Sequence, residues 1–156
     1  HHFVGKAKVF HEVDDATAAL KAGEIVPGDA VVIRYLGPKG RFGTTAFTFQ
    51  KTVAGMSLRN EIAIITDGRF SGGTSGLSIG YIAPEAAIGG PLAAVKDGDT
   101  VIIDIPNRTI NIDVSDEEIQ ARLKEVSWEI DLSGVKPMLR TFVRNVTSTA
   151  KGATWM

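Results

Sequence analysis

The chain has no cysteine among its 156 residues, and this absence excludes several kinds of site at once. Without thiols the chain forms no disulfide, offers no thiolate nucleophile, and supplies no cysteine ligand to zinc or to an iron–sulfur cluster. Histidine is scarce as well. His1 and His2 open the chain and are interpreted as the remnant of an expression tag, which leaves His11. We therefore expect neither a Ser-His-Asp triad nor a histidine-based metal site.

Strong charge and long apolar runs are also missing. The formal net charge is −1, so no field is available to attract nucleic acid or an acidic membrane surface. No apolar run approaches the roughly 18 residues of a membrane-spanning helix, and no secretory signal is recognisable. The hydrophobic fraction of 44% and the charged fraction of 22% are typical of a globular protein. We expect one cytoplasmic domain that binds neither nucleic acid nor membrane.

Glycine is abundant instead, and the seventeen glycines cluster in the middle of the chain, which favours a loop-rich β architecture over a helical bundle. Turn signals between Pro27 and Asn107 recur at the roughly 8–12-residue spacing of all-β folds. The pattern predicts a barrel-like or sandwich β domain with helices at both ends. Predicted strands cover 3–10, 30–35, 62–65, 77–82, 100–105 and 109–114, and predicted helices cover 14–22, 116–126 and 137–146. Residues 44–58 show no clean period and receive no assignment.

Two polar signals near the ends have structural interpretations. Asp14 is expected to cap the first helix, and Ser115 with the acidic residues after it forms a capping box that opens the next one. The alternative for that acidic cluster is a metal site, but a solvated first turn already explains its three carboxylates. Trp128 and Trp155 are predicted to be packing residues.

The stretch from Ile62 to Gly76 joins a short β-branched run, typical of a buried strand, to a turn rich in functional groups. An acid, a base and two hydroxyls fall between Asp67 and Thr74. Gly72 and Gly73 would let a ligand approach the backbone closely and would direct successive N–H groups at an anion. A Gly-Gly turn after a strand is more often only a tight turn. The density of polar side chains here nevertheless favours a site.

Ser71 is the candidate catalytic residue within this turn. A serine hydroxyl is a poor base unless its surroundings stabilise the alkoxide. Backbone N–H groups of Gly72 and Gly73, a helix start or a nearby cation are the groups that do so. Because the chain lacks a suitable histidine, the cation must be Lys39, Arg41, Arg69 or a metal held elsewhere. The structural alternative, in which Ser71 only caps the turn, is the one that the residues alone favour.

Basic residues flank both this turn and an earlier glycine-rich loop at 37–43. If the two loops meet, these side chains form a cationic pocket for a carboxylate or phosphate. If the loops do not meet, they are surface charges, and the sequence leaves both possibilities open. Asp67 is predicted to have a structural role, either orienting Arg69 or bonding the glycine turn. The four basic residues are Arg34, Lys39, Arg41 and Arg69.

The segment from Ile65 to Leu77 closely resembles the signature of the dihydroxy-acid dehydratase and phosphogluconate dehydratase family. Further segments similar to that family follow in the same order, at 31–40, 83–87, 89–91, 95–99, 105–108 and 146–153. The resemblance implies that residues 3–156 are the carboxyl-terminal domain of a much longer enzyme. The implied fold is an α+β, β-rich open barrel flanked by helices, of the swivelling β/β/α kind seen in aconitase-like enzymes.

The resemblance also implies a chemistry. The family dehydrates a 2,3-dihydroxy acid, either a precursor of branched-chain amino acid biosynthesis or a sugar acid, to a 2-keto acid. The serine that matches Ser71 would act as an alkoxide base on the C2 proton, while an iron–sulfur cluster takes the C3 hydroxyl. The substrate-binding residues are expected to be Gly72, Gly73, Thr74, Arg69 and Lys39.

The cluster and most magnesium ligands belong, by the same resemblance, to an amino-terminal domain outside this chain. We therefore expect the isolated chain to bind neither cofactor and to be inactive. The implied partners are that missing domain, the small dihydroxy acid and a second copy in a homodimer.

One loop departs from the family pattern. Family members run from the first glycine loop into a Gly-Pro-Gly-Met segment that ends in a magnesium-binding glutamate, whereas residues 41–47 read RFGTTAF. Counting forward from Gly40 places the glutamate slot at Ala46, and counting back from Ser71 places it at Thr45. Neither residue offers the anionic oxygen that a hard divalent cation prefers. Tyr81 also stands where the family usually has histidine.

These departures keep a second hypothesis open. In it the chain is a stand-alone or degenerate domain without dehydration chemistry, which binds a small carboxylate or a protein partner.

Overall fold

The computed structural model describes residues 2–155, which form one curled, six-stranded mixed sheet with helices. The strands are β1 His2–Phe10, β2 Asp29–Ile33, β3 Ala63–Thr66, β4 Leu77–Ile79, β5 Thr100–Asp104 and β6 Thr109–Ile112. The α-helices are α1 Val13–Lys21, α2 Pro38–Arg41, α3 Phe47–Ala54, α4 Asp116–Glu125 and α5 Pro137–Asn145. Short 3₁₀ turns cover Ser57–Asn60, Ala86–Ile88, Pro91–Ala94 and Thr149–Lys151.

The strand order across the sheet is β4-β3-β2-β1-β5-β6. Strands β1 to β4 run parallel, and β5 and β6 complete the sheet in antiparallel pairs. Parallel neighbours end at the same edge, so the loops that follow β2 and β3 emerge side by side. This topology brings the two glycine-rich loops together.

Strand β2 lies at the centre and is buried on both faces. Ala30 and Val32 face one apolar cluster, which includes Ile65 of β3, Val101 and Ile103 of β5, and several residues between 86 and 95. Val31 and Ile33 face the opposite cluster, in which α1 and α3 cover the sheet through Leu20 and Phe49. The alternation follows the two-residue period of a strand. The described residues therefore contain their own hydrophobic core on each side of the sheet.

The predicted strands and the three predicted helices are confirmed, with shifts of a few residues at their ends. The predicted α+β class is consistent with the single curled sheet. The sandwich alternative is wrong, because all six strands within residues 2–155 belong to that one sheet. The Ser115 cap is confirmed, since its hydroxyl accepts from the Glu118 amide at 3.3 Å. Asp14 is not a cap: α1 begins at Val13, and Glu12 occupies the N-cap position.

Two helices lie where the sequence predicted a loop or where it allowed no assignment. Helix α3 falls in the unassigned region 44–58 and buries Phe49 and Val53, which are spaced four residues apart. Its aromatic and threonine residues have weak helix propensity, so the helix depends on this packing. Helix α2 makes a single turn inside the loop at 37–43, with Pro38 in its first turn.

The two tryptophans differ in how they pack. Trp128 stacks on Tyr35, with ring centroids 4.4 Å apart, and confirms the predicted packing role. Trp155 is 57% exposed and makes an edge contact with Phe142 at 5.8 Å. None of the helices within residues 2–155 has the length and apolar character needed to cross a bilayer.

His11 is linked to the sheet through Arg34. Its Nε2 atom lies 3.2 Å from Arg34 Nε and 3.0 Å from Arg34 Nη2. Arginine only donates hydrogen bonds, so this contact needs a neutral imidazole with Nε2 as the acceptor. Partial burial and the Arg34 charge lower the pKa of His11, and the carboxylates of Asp15 and Asp97 oppose that shift.

We predict that folding stability decreases as the pH falls below about 6.5, the pKa of a free histidine. Below that pH the imidazole of His11 binds a proton more readily in the unfolded chain than in the folded chain. Protonation therefore lowers the free energy of unfolding as the pH falls, and the full contribution of His11 to stability is present only above that pH. Urea unfolding between pH 7.5 and pH 5.5 checks this. A His11→Gln variant keeps an acceptor but does not titrate, and it should lose less stability than the parent chain. Equal losses in the two proteins would contradict the prediction.

Candidate functional site

The carboxylate of Asp67 joins three chain segments at the end of β3. It is 1% exposed and accepts hydrogen bonds from the backbone amides of Tyr35 at 3.1 Å, Leu36 at 2.9 Å and Ala86 at 2.9 Å. Burial raises the pKa of Asp67, and the hydrogen bonds from these amides act in the opposite direction. The predicted structural role is confirmed. Its partners, however, are backbone amides in the loop after β2 and at Ala86, rather than Arg69 or the glycine turn.

The two glycine-rich loops do meet. The backbone of Arg69 donates to Thr44 O and accepts from the Ala46 amide, each at 3.1 Å. The Arg69 side chain adds a bond from Nε to Gly43 O at 2.9 Å. A cationic pocket between the two loops requires that they meet, and these contacts show that they do.

The pocket contains one of the four basic residues rather than all of them. Arg69 lines a cavity of about 450 Å³ between the two loops, α5 and the closing segment 147–155. Arg34 points to His11 and to main-chain carbonyls near Leu92. Lys39 donates through Nζ to Val143 O at 3.1 Å and Arg144 O at 3.2 Å, at the carbonyl end of α5. Arg41 pairs with Glu12. Within residues 2–155 the four bases therefore do not form one pocket, because the other three cations are held by acceptors elsewhere.

Ser71 lies in a closed turn after β3. Its carbonyl accepts from the Thr74 amide at 3.1 Å and from the Thr74 hydroxyl at 2.6 Å. Thr74 also contacts Gln50, which donates to Ser78 Oγ at 3.1 Å. Within residues 2–155 no group hydrogen-bonds the Ser71 hydroxyl, which is half-buried. The turn is therefore fixed through its backbone, while the serine oxygen has its lone pairs and its proton available.

Gly72 and Gly73 lie on the open side of the same turn. Both are exposed, and a Cβ atom added to either would meet nothing within 4 Å. Neither has a positive φ angle. Their amides make no hydrogen bond within the described part of the chain. Packing within residues 2–155 therefore does not require glycine here, and the two adjacent N–H groups have no hydrogen-bond partner in that part of the chain.

The structure distinguishes the two positions proposed for the family glutamate. Ala46 is fully buried against α3, so a carboxylate there would enter the apolar core. Thr45 is half-buried and pairs with Arg69 as an isolated bridge. Position 45 is thus the one that accommodates a polar side chain. Among the described residues no three His, Cys, Asp or Glu side chains are grouped closely enough to hold a metal ion. The residues present do not fit a magnesium site.

Glu85 is a buried acid that sequence reasoning missed. It is fully buried, and its Oε2 atom accepts from the Ser148 hydroxyl at 2.5 Å and from the Thr149 amide at 3.3 Å. Its Oε1 atom is buried without a hydrogen-bond partner in the part of the chain described. Glu85 therefore attaches the closing segment to the loops around Asp67. The one available signal was an acid within the apolar run from Ile82 to Ile88.

Comparison with known proteins gives consistent matches. The family model described as "Dihydroxy-acid/6-phosphogluconate dehydratase C-terminal" matches residues 1–153. A dihydroxy-acid dehydratase of Pyrococcus furiosus is 47% identical over 152 residues, which is 97% of this chain and 27% of that protein. A dihydroxy-acid dehydratase of Desulfatibacillum aliphaticivorans is 47% identical over 151 residues, which is 96% of this chain and 27% of that protein. The chain spans about a quarter of the length of these curated relatives.

We predict that Glu85→Ala loosens the closing segment without unfolding the sheet. Removing the carboxyl group leaves the Ser148 hydroxyl and the Thr149 amide without their acceptor. Losing a hydrogen bond to a charged group typically costs about 1.5–3 kcal/mol, so amide exchange at Thr149 should accelerate about tenfold or more. Exchange in β1 and β5 should stay unchanged. Glu129→Ala removes an exposed acid and is the control; equal protection of Thr149 in both variants would contradict the prediction.

Proposed function

We propose that this chain, which belongs to the dihydroxy-acid/6-phosphogluconate dehydratase family, is the carboxyl-terminal domain of a hydro-lyase. The reaction is the dehydration of a 2,3-dihydroxy acid to a 2-keto acid. The observation that carries the proposal is the Ser71 turn, where the family-like signature coincides with a serine hydroxyl that has no partner within residues 2–155. Membership comes from the match over residues 1–153.

Ser71 is the proposed base. As an alkoxide it takes the proton from C2 of the substrate, the C3–O bond breaks, and the departing hydroxide takes that proton from Ser71 and leaves as water. The enol that results becomes the 2-keto acid by moving a proton to C3, so one water is lost and no oxidant is needed. The free amides of Gly72 and Gly73 support this role, because backbone N–H groups aimed at an anion stabilise it.

The proposed substrate contacts lie on both sides of Ser71. Arg69 would hold the substrate carboxylate through its Nη atoms, since Nε is already bonded to Gly43. Gly72, Gly73 and Thr74 would border the reacting carbons. Lys39 is held by the carbonyls at the end of α5, so it would contribute charge near the site rather than a direct bond.

The cofactors that the resemblance implies have no ligand set in this chain. The chain has no cysteine for an iron–sulfur cluster, and Thr45 occupies the position that would suit a magnesium carboxylate. A longer protein, consistent with relatives almost four times this length, would supply their ligands from an amino-terminal domain. In that assembly the curled sheet would be a swivelling β/β/α domain of the aconitase-like kind, and the enzyme would be a homodimer.

A second candidate function follows from the altered loop at 41–47. Ala46 is a core residue and Thr45 has no carboxylate, so this chain does not provide the metal ligand that the family pattern includes. That observation favours a degenerate domain that binds a small carboxylate without dehydrating it.

Turnover measured with the proposed longer protein, in which this chain is joined to its amino-terminal domain, tests the proposal. Ser71→Ala should reduce 2-keto acid formation about a thousandfold, within the range of a positioned general base. Ser75→Ala, in the same loop, is the matched control and should retain activity. The isolated 156-residue chain should form no keto acid. Undiminished turnover by Ser71→Ala would contradict the serine base, and an inactive parent protein with an intact Ser71 would favour the second function.

A further inference from the structure

Gln50 is a buried polar side chain in the middle of α3, and the proposed reaction does not use it. It is 7% exposed, and the adjacent Phe49 and Val53 pack into the apolar cluster on that face of the sheet. An amide side chain that is buried without hydrogen-bond partners costs free energy. The partners of Gln50 therefore indicate why glutamine lies in a helix that otherwise buries apolar side chains.

Both partners of Gln50 belong to the segment that carries Ser71. Its amide contacts the Thr74 hydroxyl in the Ser71 turn (residues 71–74) and the Ser78 hydroxyl in β4, the latter at 3.1 Å. Within residues 2–155 the contact with Thr74 is the only hydrogen bond that joins residues 71–75 to another segment. One side chain of α3 thus holds both the turn and the strand that follows it.

The single proton of the Thr74 hydroxyl sets the direction of these bonds. That proton has two candidate acceptors, Ser71 O at 2.6 Å and the Gln50 amide oxygen. Turning the Gln50 amide over exchanges its oxygen and nitrogen and gives each donor one acceptor. Nε2 then donates to Thr74, Thr74 donates to Ser71 O, and the Ser78 hydroxyl donates to Oε1. The bonds form one directed path from β4 to the carbonyl of the proposed base.

Ser71 depends on this path because little else holds its turn in place. Gly72 and Gly73 are exposed, and their amides have no hydrogen-bond partner within residues 2–155. Glycine also has more backbone freedom than any other residue. The bonds from Thr74 to Ser71 O fix the shape of the turn, and the contact with Gln50 fixes its place against α3 and β4. In an enzyme a displacement of about 1 Å can cost about a hundredfold in rate.

We propose that Gln50 is a positioning residue, which holds the Ser71 turn at a fixed place beside α3 and β4 through Thr74 and Ser78. It acts through Thr74 rather than on the substrate. The inference rests on the proposed function only where it concerns turnover, because there it takes Ser71 as the base. The placement of residue 71 can be tested without any reaction.

The absence of native cysteine provides the test, because Ser71→Cys gives the 156-residue chain a single thiol at this position. The rate of its alkylation by iodoacetamide, followed from about pH 6 to about pH 10, gives the pKa of that thiol. In the closed turn the amides of Gly72 and Gly73 stabilise the thiolate, so the pKa should lie below the usual value of about 8.5. Adding Gln50→Met should raise the pKa by about 0.5 or more, because the turn then leaves this arrangement.

Further variants separate a positioning role from a general loss of stability. Gln120→Met changes the other glutamine of the chain, at an exposed position on α4, and should leave the thiol pKa unchanged. Thr74→Val removes the hydroxyl between Gln50 and Ser71 and should raise the pKa by itself. Adding Gln50→Met to Thr74→Val should raise it little further, since residues that act along one path are not additive. If Gln50→Met fails to fold, Thr74→Val provides the test, with the exposed Thr48→Val of α3 as its control.

The proposed longer protein provides a second readout. Gln50→Met should lower kcat about tenfold to a hundredfold and leave KM nearly unchanged, because Gln50 orients the base without binding the substrate. Gln120→Met should change neither constant.

Two results would overturn the inference: the same thiol pKa in Gln50→Met and Gln120→Met, or fully additive shifts from Gln50→Met and Thr74→Val. A shift of the thiol pKa with no keto acid from the longer protein would leave the role of Gln50 standing and remove the proposed function. Keto acid formation that needs Ser71, together with a thiol pKa that Gln50→Met does not move, would do the reverse.

Discussion

The buried carboxylate of Asp67 holds together the part of the molecule on which the candidate site depends. Three backbone amides from two other segments donate to it, at 2.9–3.1 Å. Burying a carboxylate without partners would cost several kcal/mol, and hydrogen bonds to a charged acceptor contribute about 1.5–3 kcal/mol each. Three such bonds together are large enough to offset that cost. The carboxylate therefore fixes the loop after β2 and the segment around Ala86 in one arrangement relative to β3.

The other features of the site depend on that arrangement. Because the loop after β2 is fixed beside β3, the backbone of Arg69 can pair with Thr44 and Ala46. Because the segment around Ala86 is fixed, Glu85 can reach the closing segment and hold Ser148 and Thr149 against the loops. Segments held by both attachments contribute walls to the cavity beside Arg69. Ser71 stands next to this framework on a turn that is closed by its own backbone.

Local patterns in the sequence predicted the secondary structure well, but they could not predict contacts between residues that are far apart in the chain. The strand at β3 follows from its β-branched run, and the start of α4 follows from the Ser115 cap. The signature around Ser71 indicated the family that the comparisons support. The partners of Arg34, Lys39 and Asp67 were not predictable. Lys39 bonds residues more than one hundred positions away, at the end of a helix whose place in the fold no local pattern reveals.

Amide hydrogen exchange at Tyr35, Leu36 and Ala86 tests most directly whether Asp67 holds the loops together. In the parent chain these three amides should be protected together, and Asp67→Asn should deprotect them together while the amides of β1 and β5 keep their protection. Asparagine keeps one acceptor oxygen and presents an NH₂ group to the amides, so it cannot accept all three bonds. Asp14→Asn, at an exposed position on α1, is the control. If the amides of Tyr35, Leu36 and Ala86 stay protected in Asp67→Asn, the proposed role of Asp67 is contradicted.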